Sequence, residues 1–219
     1  PNYAGPVVIP SSVVSIGGGA FASSGITSLD LTGATGLKSI GGNAFKECTA
    51  LSGTVVIPSS VESIAGRAFI SSGITSLGLT GATGLTSIGE SAFYGCNQLT
   101  GPLTILSSVV SVGSYAFGYS GIISLDLSGA TGLTSIGSAA FYECTKLSGT
   151  VVIPSSVESV GGVAFRNTGI TSLDLTGATG LKSIGGSAFQ GCIALSGTVR
   201  IPSSVESVGD RAFFDATLG

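Results

Sequence analysis

The strongest constraint on this chain is a 24-residue internal repeat. The dipeptide Ala-Phe recurs at that interval along the sequence, and five residues before each Phe an Ile or Val follows a Ser. The resulting frame is S-[IV]-G-x-x-A-F, and Ala65 is the only departure from its Gly position. The repeated phenylalanines are Phe21, Phe45, Phe69, Phe93, Phe117, Phe141, Phe165, Phe189 and Phe213. A fixed period of this length predicts units that share one backbone conformation and stack on their neighbours.

Two kinds of unit alternate, so the full period is two units long. Residues 25–42 and 169–186 are identical, and the segment at 52–63 recurs unchanged at 148–159. We therefore interpret residues 1–219 as a single solenoid, without a domain boundary, of nine 24-residue turns in 48-residue pairs. The sequence begins with Pro1, Leu218 falls where a further strand would start, and neither end has the polar repeat that normally caps a solenoid. We therefore expect a fragment of a longer array.

Each unit contains one segment with the composition of a β-strand. Residues 26–31 and 54–58 are rich in Leu or β-branched residues and are bounded by Gly, Ser and Pro. The Ala-Phe segments are too short for a helix and predict a tight turn or a single 3₁₀ turn that directs Ala and Phe inward. Because one such strand cannot bury its apolar face alone, we expect a parallel sheet at about 4.8 Å per unit, with the phenylalanines as the spine of the core.

The composition excludes several classes of function. Charged residues make up 9% of the chain and its net charge is -3, so the concentrated Lys and Arg required for nucleic-acid binding are missing. There is no His, and therefore no Ser-His-Asp triad and no His metal ligand. The mean hydropathy is +0.61, but the apolar residues occur in runs far shorter than the roughly 20 that span a bilayer. We expect no enzyme activity, no cofactor, no metal and no membrane span.

The cysteines recur once in every second unit. They are Cys48, Cys96, Cys144 and Cys192. Two units of stacking separate neighbours by roughly 10 Å, whereas a disulfide requires Cα atoms within about 7 Å. The intervening units have Ser or Thr at the equivalent position. We predict four free thiols packed as small apolar groups; a disulfide framework and a zinc site are the alternatives that this distance disfavours.

The carboxylates also recur in register. One column contains Asp30, Asp126 and Asp174 and is interrupted by Gly78, and a second contains Glu62, Glu158 and Glu206. Neighbours in a column are at least about 10 Å apart, too far to share a proton or to flank one substrate bond. Two interpretations remain: solvated surface charge, or an acidic stripe that helps to select a partner.

Two segments show a resemblance to a known family. IPSSVESIAGRAF at 57–69 and LKSIGGNAFKECTAL at 37–51 follow the pattern of the BspA-like class of leucine-rich repeats, and their repeats extend the resemblance over essentially all of the chain. The restriction of Cys to alternate units and the GATG segments depart from the pattern. The resemblance implies an α/β-type, mostly β, right-handed leucine-rich-repeat solenoid with one parallel sheet on its concave side. It also implies a surface or secreted microbial protein, and some members of the family act in adhesion to host or neighbouring-cell proteins.

On the implied concave face, one residue per unit lies between two inward-pointing residues, and its chemistry changes from unit to unit. We call these residues the central row: Val8, Asp30, Val56, Gly78, Thr104, Asp126, Val152, Asp174 and Arg200. Its flanks stay Ser, Thr or Pro, as expected of a preorganised surface with variable contacts. The partner-binding candidates are Asp30, Val56, Thr104, Asp126, Val152, Asp174 and Arg200. Neutral variation on a solvated face is the alternative.

The leading functional prediction is an extracellular or cell-surface adhesion module that binds a protein, an extracellular-matrix component or a cell-surface ligand. The first alternative is a structural array that associates end to end into a filament. A third is ice or carbohydrate binding through Thr rows such as Thr27, Thr32 and Thr35. Four tyrosines also fall near the Ala-Phe turns of the middle units, where they form either an aromatic patch away from the sheet or half-buried turn residues: Tyr94, Tyr115, Tyr119 and Tyr142.

Overall fold

The structure, a computed structural model, describes residues 3–217. Over this range the chain is a parallel β-solenoid of about nine turns, which confirms the predicted fold class. Residues 3–217 form no helix, and so none that is long and apolar enough to cross a membrane. Leu218, the predicted start of a further strand, lies outside the described residues.

Longer and two-residue strands alternate along the chain. They are β1 (Ala4–Val8), β2 (Ser15–Ile16), β3 (Gly25–Asp30), β4 (Ser39–Ile40), β5 (Thr54–Val56), β6 (Ser63–Ile64), β7 (Ser76–Gly78), β8 (Ser87–Ile88), β9 (Pro102–Thr104), β10 (Ser111–Val112), β11 (Ser124–Asp126), β12 (Ser135–Ile136), β13 (Ser148–Val152), β14 (Ser159–Val160), β15 (Gly169–Asp174), β16 (Ser183–Ile184) and β17 (Ser207–Val208). Each turn of the solenoid therefore contributes a two-residue strand to one face. Every turn but the last described one also contributes a longer strand to a second face.

The two-residue strands form one continuous parallel sheet along the solenoid. Its order is β2-β4-β6-β8-β10-β12-β14-β16-β17. Neighbours pair one unit apart, as Ser39 does with Ser63 and Ile40 with Ile64. In the inner strands the Ile or Val is buried and the Ser is half-buried, so this face binds the turns together through backbone hydrogen bonds over an apolar layer.

The longer strands do not form the single sheet that the sequence predicts. They pair in parallel only within each 48-residue period, as β1–β3, β5–β7, β9–β11 and β13–β15. Between these pairs, hydrogen bonds such as that from the Ser52 N–H to the Thr27 carbonyl (3.0 Å) occur at the first residue of a longer strand or just before it. The next residue, Gly53, has φ 85°, and its counterpart Gly149 also has φ 85°. Gly53 is therefore not extended at one break between pairs, whereas Gly149 lies within β13, where the register with β15 shifts after it.

The Ala-Phe segments form tight turns, as predicted, and these turns are bonded to one another. The N–H groups of Asn43, Phe45 and Glu47 donate to carbonyls of the next unit at 3.3, 2.7 and 2.8 Å. Asn43 and Glu47 have φ of 57° and 56°, which turns these N–H groups along the solenoid axis. The left-handed conformation costs a non-Gly residue about 1–2 kcal/mol. Inter-unit hydrogen bonds at each repeat offset that cost.

The phenylalanines form the predicted spine of the core. Consecutive rings are stacked, with centroids 4.9 to 5.6 Å apart and interplanar angles of 3° to 18°. The seven inner rings, from Phe45 to Phe189, are fully buried, whereas Phe21 and Phe213 are partly buried. The ring separation is close to the spacing of strands in a sheet, about 4.8 Å, so the core and the backbone ladders have one common repeat.

The GATG segments, which depart from the family pattern, are explained by contacts between units. In residues 129–132, the carbonyl of Ala130 accepts a hydrogen bond from the Ser156 hydroxyl at 3.2 Å. A Cβ on Gly132 would overlap the backbone carbonyl oxygen of Ser107 in the preceding unit, whereas a Cβ on Gly129 would meet nothing within 4 Å. Only the second glycine of the segment is therefore required by packing.

We expect Phe117→Ala to lower the free energy of unfolding by about 3–5 kcal/mol, because it removes a fully buried ring and leaves a cavity. Phe213→Ala is the matched control and should cost clearly less, because its ring is partly exposed and stacks on one neighbour. Urea unfolding followed by circular dichroism measures both. Equal losses would contradict a core built on the inner rings.

We expect Gly132→Ala to destabilise the chain by about 1–3 kcal/mol, because backbone atoms on both sides of the contact must shift. Gly129→Ala, three residues away in the same segment, should change stability by no more than about 0.5 kcal/mol. The same urea unfolding experiment compares them. A similar loss in both variants would show that the close approach to Ser107 is not what the second glycine provides.

Candidate interaction surface

The structure brings the central row together two residues at a time. Each two-stranded sheet pairs two members, as in Val8 with Asp30, Thr104 with Asp126, and Val152 with Asp174. On either side of each of the eight paired members, buried Leu, Val or Ile residues point into the core, so that these members are directed outward. The row is therefore a series of fixed pairs, one for each 48-residue period.

Two of the four pairs combine an exposed valine with a carboxylate: Val8 with Asp30, and Val152 with Asp174. The exposed fractions of Val8, Val56 and Val152 are 66%, 39% and 41%. Asp30 and Asp126 are exposed, whereas Thr104 and Asp174 are half-buried. Because exposed β-branched residues on a rigid sheet have little conformational freedom to lose, such a surface can bind a partner at low entropic cost.

The aspartates of the central row accept hydrogen bonds from residues just after the end of their own strands. The Asp30 carboxylate accepts hydrogen bonds from the Thr32 hydroxyl (2.7 Å) and N–H (2.8 Å), and Asp174 accepts the same pair from Thr176. These bonds lower the pKa of both aspartates, and the bond from the threonine hydroxyl contributes more than the bond from the N–H. Sequence reasoning treated these carboxylates only as surface charge or as a partner-selecting stripe. They also terminate the strands as Asx-type turns, which fixes the position of each negative charge.

Arg200 lies beside the last of these pairs. It follows β15 in a segment that forms no strand, and it shares a depression of about 310 Å³ with Asp174, Thr176 and Thr150. The row is thus acidic at three positions and basic at one.

The second carboxylate column is on the other sheet: Glu62 is exposed and pairs with Lys38 at 2.9 Å, as expected for solvated charge.

The four tyrosines form an aromatic patch on the Ala-Phe turns, away from the central row. Four pairs of rings are in edge contact, with centroids 5.4 to 6.4 Å apart. The exposed fractions of Tyr115 and Tyr119 are 41% and 43%. The guanidinium of Arg166 lies 5.9 Å from the ring centroid of Tyr142. Both interpretations open from the sequence therefore hold in part: the rings form one patch, and within it Tyr94 and Tyr142 are half-buried.

The four cysteines are free and buried, as predicted. They are not merely small apolar groups, because each thiol donates a hydrogen bond to a phenylalanine carbonyl of the preceding unit, as Cys96 does to Phe69 at 3.0 Å. The Ser or Thr at the equivalent position of that unit contacts the same sulfur. Burial raises the pKa of Cys96 to about 11 and that of Cys144 to about 12. Within residues 3–217 no group of His, Cys, Asp or Glu has the arrangement of a metal site.

We expect iodoacetamide at pH 8 to leave Cys96 and Cys144 unlabelled in the folded chain, because the reactive thiolate is scarce and the sulfur is inaccessible. All four cysteines should react once the chain is unfolded in urea. Mass spectrometry of the labelled peptides gives the count in each state. Equal labelling rates in the folded and unfolded chain would contradict the buried thiol column.

The geometry described above, a stack of 24-residue turns with a phenylalanine spine and alternating strand pairs, defines a leucine-rich-repeat solenoid. A comparison with protein-family models matches the BspA type leucine rich repeat region in six copies, over residues 5–100, 79–196 and 164–218. The chain belongs to this family of BspA-type leucine-rich-repeat proteins. The comparison with curated proteins finds no significant match.

Solved structures with the same fold are bacterial leucine-rich-repeat proteins. A leucine-rich repeat protein from Eubacterium ventriosum is 20% identical with a TM-score of 0.67, and the alignment covers 98% of this chain and 65% of that one. The T. pallidum leucine rich repeat protein is 22% identical with a TM-score of 0.56, covering 87% and 77%. The pneumococcal vaccine antigen PcpA is 20% identical with a TM-score of 0.59, covering 93% and 58%. This chain thus spans less than two thirds of the Eubacterium and pneumococcal proteins, and the likeness is one of fold.

Proposed function

We propose that this chain is part of a non-enzymatic adhesion module at the bacterial surface, which binds a partner protein through the central row. The carrying observation is that eight members of the row point outward from paired strands whose buried neighbours repeat, while the members themselves change among Val, Asp, Gly and Thr. Repetition serves the scaffold, and variation at fixed positions serves selection of a partner.

The charge and shape of the row favour a particular kind of partner surface. The hydrogen bonds from Thr32 and Thr176 keep Asp30 and Asp174 ionised at neutral pH, because they lower the pKa of both carboxylates. Exposed valines lie directly beside them in the pairs with Val8 and Val152. A matching surface presents Lys or Arg side chains with apolar groups between them.

A surface location is supported by the family and by the pneumococcal vaccine antigen that shares the fold. Leucine-rich-repeat solenoids generally act as protein-interaction scaffolds rather than enzymes. In the part of the chain that the structure describes, no His and no metal-type cluster is available for catalysis, and the thiols are buried. The central row is therefore where we place the binding function.

The test is the double variant Asp126→Lys, Asp174→Lys. We expect the wild-type chain to bind at least one of a set of immobilised extracellular-matrix proteins in a saturable manner, and the variant to bind about tenfold or more weakly because like charges then meet at the interface. Surface plasmon resonance measures the affinity. Circular dichroism and the thermal midpoint establish that the variant is folded, a check it needs because it loses the hydrogen bonds that Asp126 accepts from Ser128 and Asp174 accepts from Thr176.

The matched control is Glu158→Lys, Glu206→Lys, which changes the net charge equally beside the continuous sheet of two-residue strands. It should retain the wild-type affinity to within about twofold. Absence of binding to every immobilised protein, or equal loss in both variants, would contradict the proposal. Light scattering over a concentration series tests the alternative of a structural array, which requires growth of fibres with concentration.

A further inference from the structure

A second concave surface lies on the Ala-Phe turns, and the central row has no part in it. We call it the furrow: a depression of about 480 Å³ along the solenoid axis, between two rows of side chains. One row comes from the residues with left-handed backbone conformation that precede Ala-Phe, and includes Asn43, Arg67 and Tyr115. The other comes from the residues that follow Phe, and includes Lys46, Ile70 and Tyr94.

The end of the furrow is an aromatic wall with a fixed geometry. The rings of Tyr94 and Tyr115 meet at 6.0 Å between centroids and an angle of 69°. Behind them, Tyr119 contacts Tyr94 at 5.4 Å. A Cβ on Gly118 would lie 3.2 Å from the Tyr94 ring, so the absence of a side chain at this position lets the ring settle against the backbone. The wall is thus preorganised before any ligand arrives.

Arg67 is the cationic side chain of the furrow that carries no ion pair among residues 3–217. Arg67 and Lys46 line it together with a single carboxylate, Glu90. Lys46 is already paired with Glu47 at 3.4 Å, whereas Arg67 is exposed and forms no ion pair with any residue from 3 to 217. This unpaired guanidinium favours a ligand that carries a carboxylate, which an Arg side chain binds in a bidentate manner.

The backbone of the furrow is unable to bind a peptide as an added strand. The N–H groups of Asn43, Arg67 and Ser91 already donate to carbonyls of the next unit, at 3.3, 2.8 and 2.8 Å. A ligand is therefore recognised by side chains alone. Aromatic faces combined with amide, guanidinium and carboxylate groups suit a molecule with apolar ring faces and a rim of hydroxyls, rather than one that needs a free strand edge.

We propose that the furrow binds an acidic oligosaccharide, with one sugar ring against Tyr94 and Tyr115 and a hexuronic carboxylate on Arg67. The hydroxyls of the sugar would be hydrogen-bonded by Asn43 and Glu90. A chain of sugars lies along the axis, so that successive rings meet successive turns of the solenoid. This site differs in place and in residues from the central row, and its test is independent of the proposed adhesion function.

The sequence provides the reporter for the experiment. It contains no Trp and five Tyr, of which only Tyr3 lies outside the patch. In a Tyr3→Phe background, intrinsic tyrosine fluorescence therefore reports on the patch alone. The probe is trigalacturonic acid, and its methyl ester is the matched uncharged probe. We expect saturable fluorescence change with the acid and about tenfold or more weaker binding of the ester, since the ester has lost the charge that pairs with Arg67.

Arg67→Gln in the same background should weaken binding of the acid by about tenfold or more. The matched control is Arg211→Gln, at the equivalent position of the last unit and outside the furrow, which should bind within about twofold of the parent. Circular dichroism and the thermal midpoint establish that both variants are folded; Arg67 is exposed, so its replacement leaves the core intact.

Several outcomes would overturn the proposal. No saturable change with the acid, equal binding of acid and ester, or equal loss in the two arginine variants would each remove the acidic sugar as ligand. Decaproline is the peptide probe, because aromatic grooves also bind polyproline helices. Saturable binding of decaproline that is lost in Tyr94→Ala, without binding of the acid, would assign the furrow to a proline-rich peptide instead.

Discussion

The stacking of each phenylalanine ring on that of the next unit is the interaction on which the rest of the structure depends. Centroid separations of 4.9 to 5.6 Å match the spacing at which backbone strands can pair, so the same repeat satisfies the apolar core and the hydrogen bonds of both faces. Each unit is too small to bury its own apolar side chains. It is stable only because its neighbours cover the rings above and below, as in other solenoids.

This regularity also determines where recognition can occur. Along the Ala-Phe turns, backbone groups are already bonded between units, and within each pair of longer strands the ladder is closed. Selectivity must then come from side chains at positions that stacking leaves free. Two such positions are occupied by varied chemistry: the central row, where two of the four pairs join Val with Asp, and the furrow, which Arg67 lines together with Tyr94 and Tyr115. They lie on different parts of the molecule and favour ligands of opposite charge.

Much of the fold follows from the period, but three features do not. The sheet of two-residue strands was not predicted, because a Ser followed by Ile or Val is too short to show strand alternation. The longer strands also pair only within each 48-residue period, and Gly53 leaves the extended region at one of the breaks between pairs. Tyr115 and Val163 adopt left-handed conformations that their side chains disfavour, with φ of 56° and 51°. Their N–H groups bond the next unit, so tertiary contacts override local preference.

By itself, the sequence determined the repeat length, the phenylalanine spine, the unpaired thiols and the identity of the outward-facing residues, because equal spacing places equal side chains in one column. Only the tertiary structure decided which strands pair and which side chains of these columns come into contact. It turned Asp30 back onto Thr32, gave each thiol a carbonyl partner, and brought four tyrosines from three units into one patch. These contacts depend on side-chain direction and on neighbours one unit away, and both are fixed only once the turns have stacked.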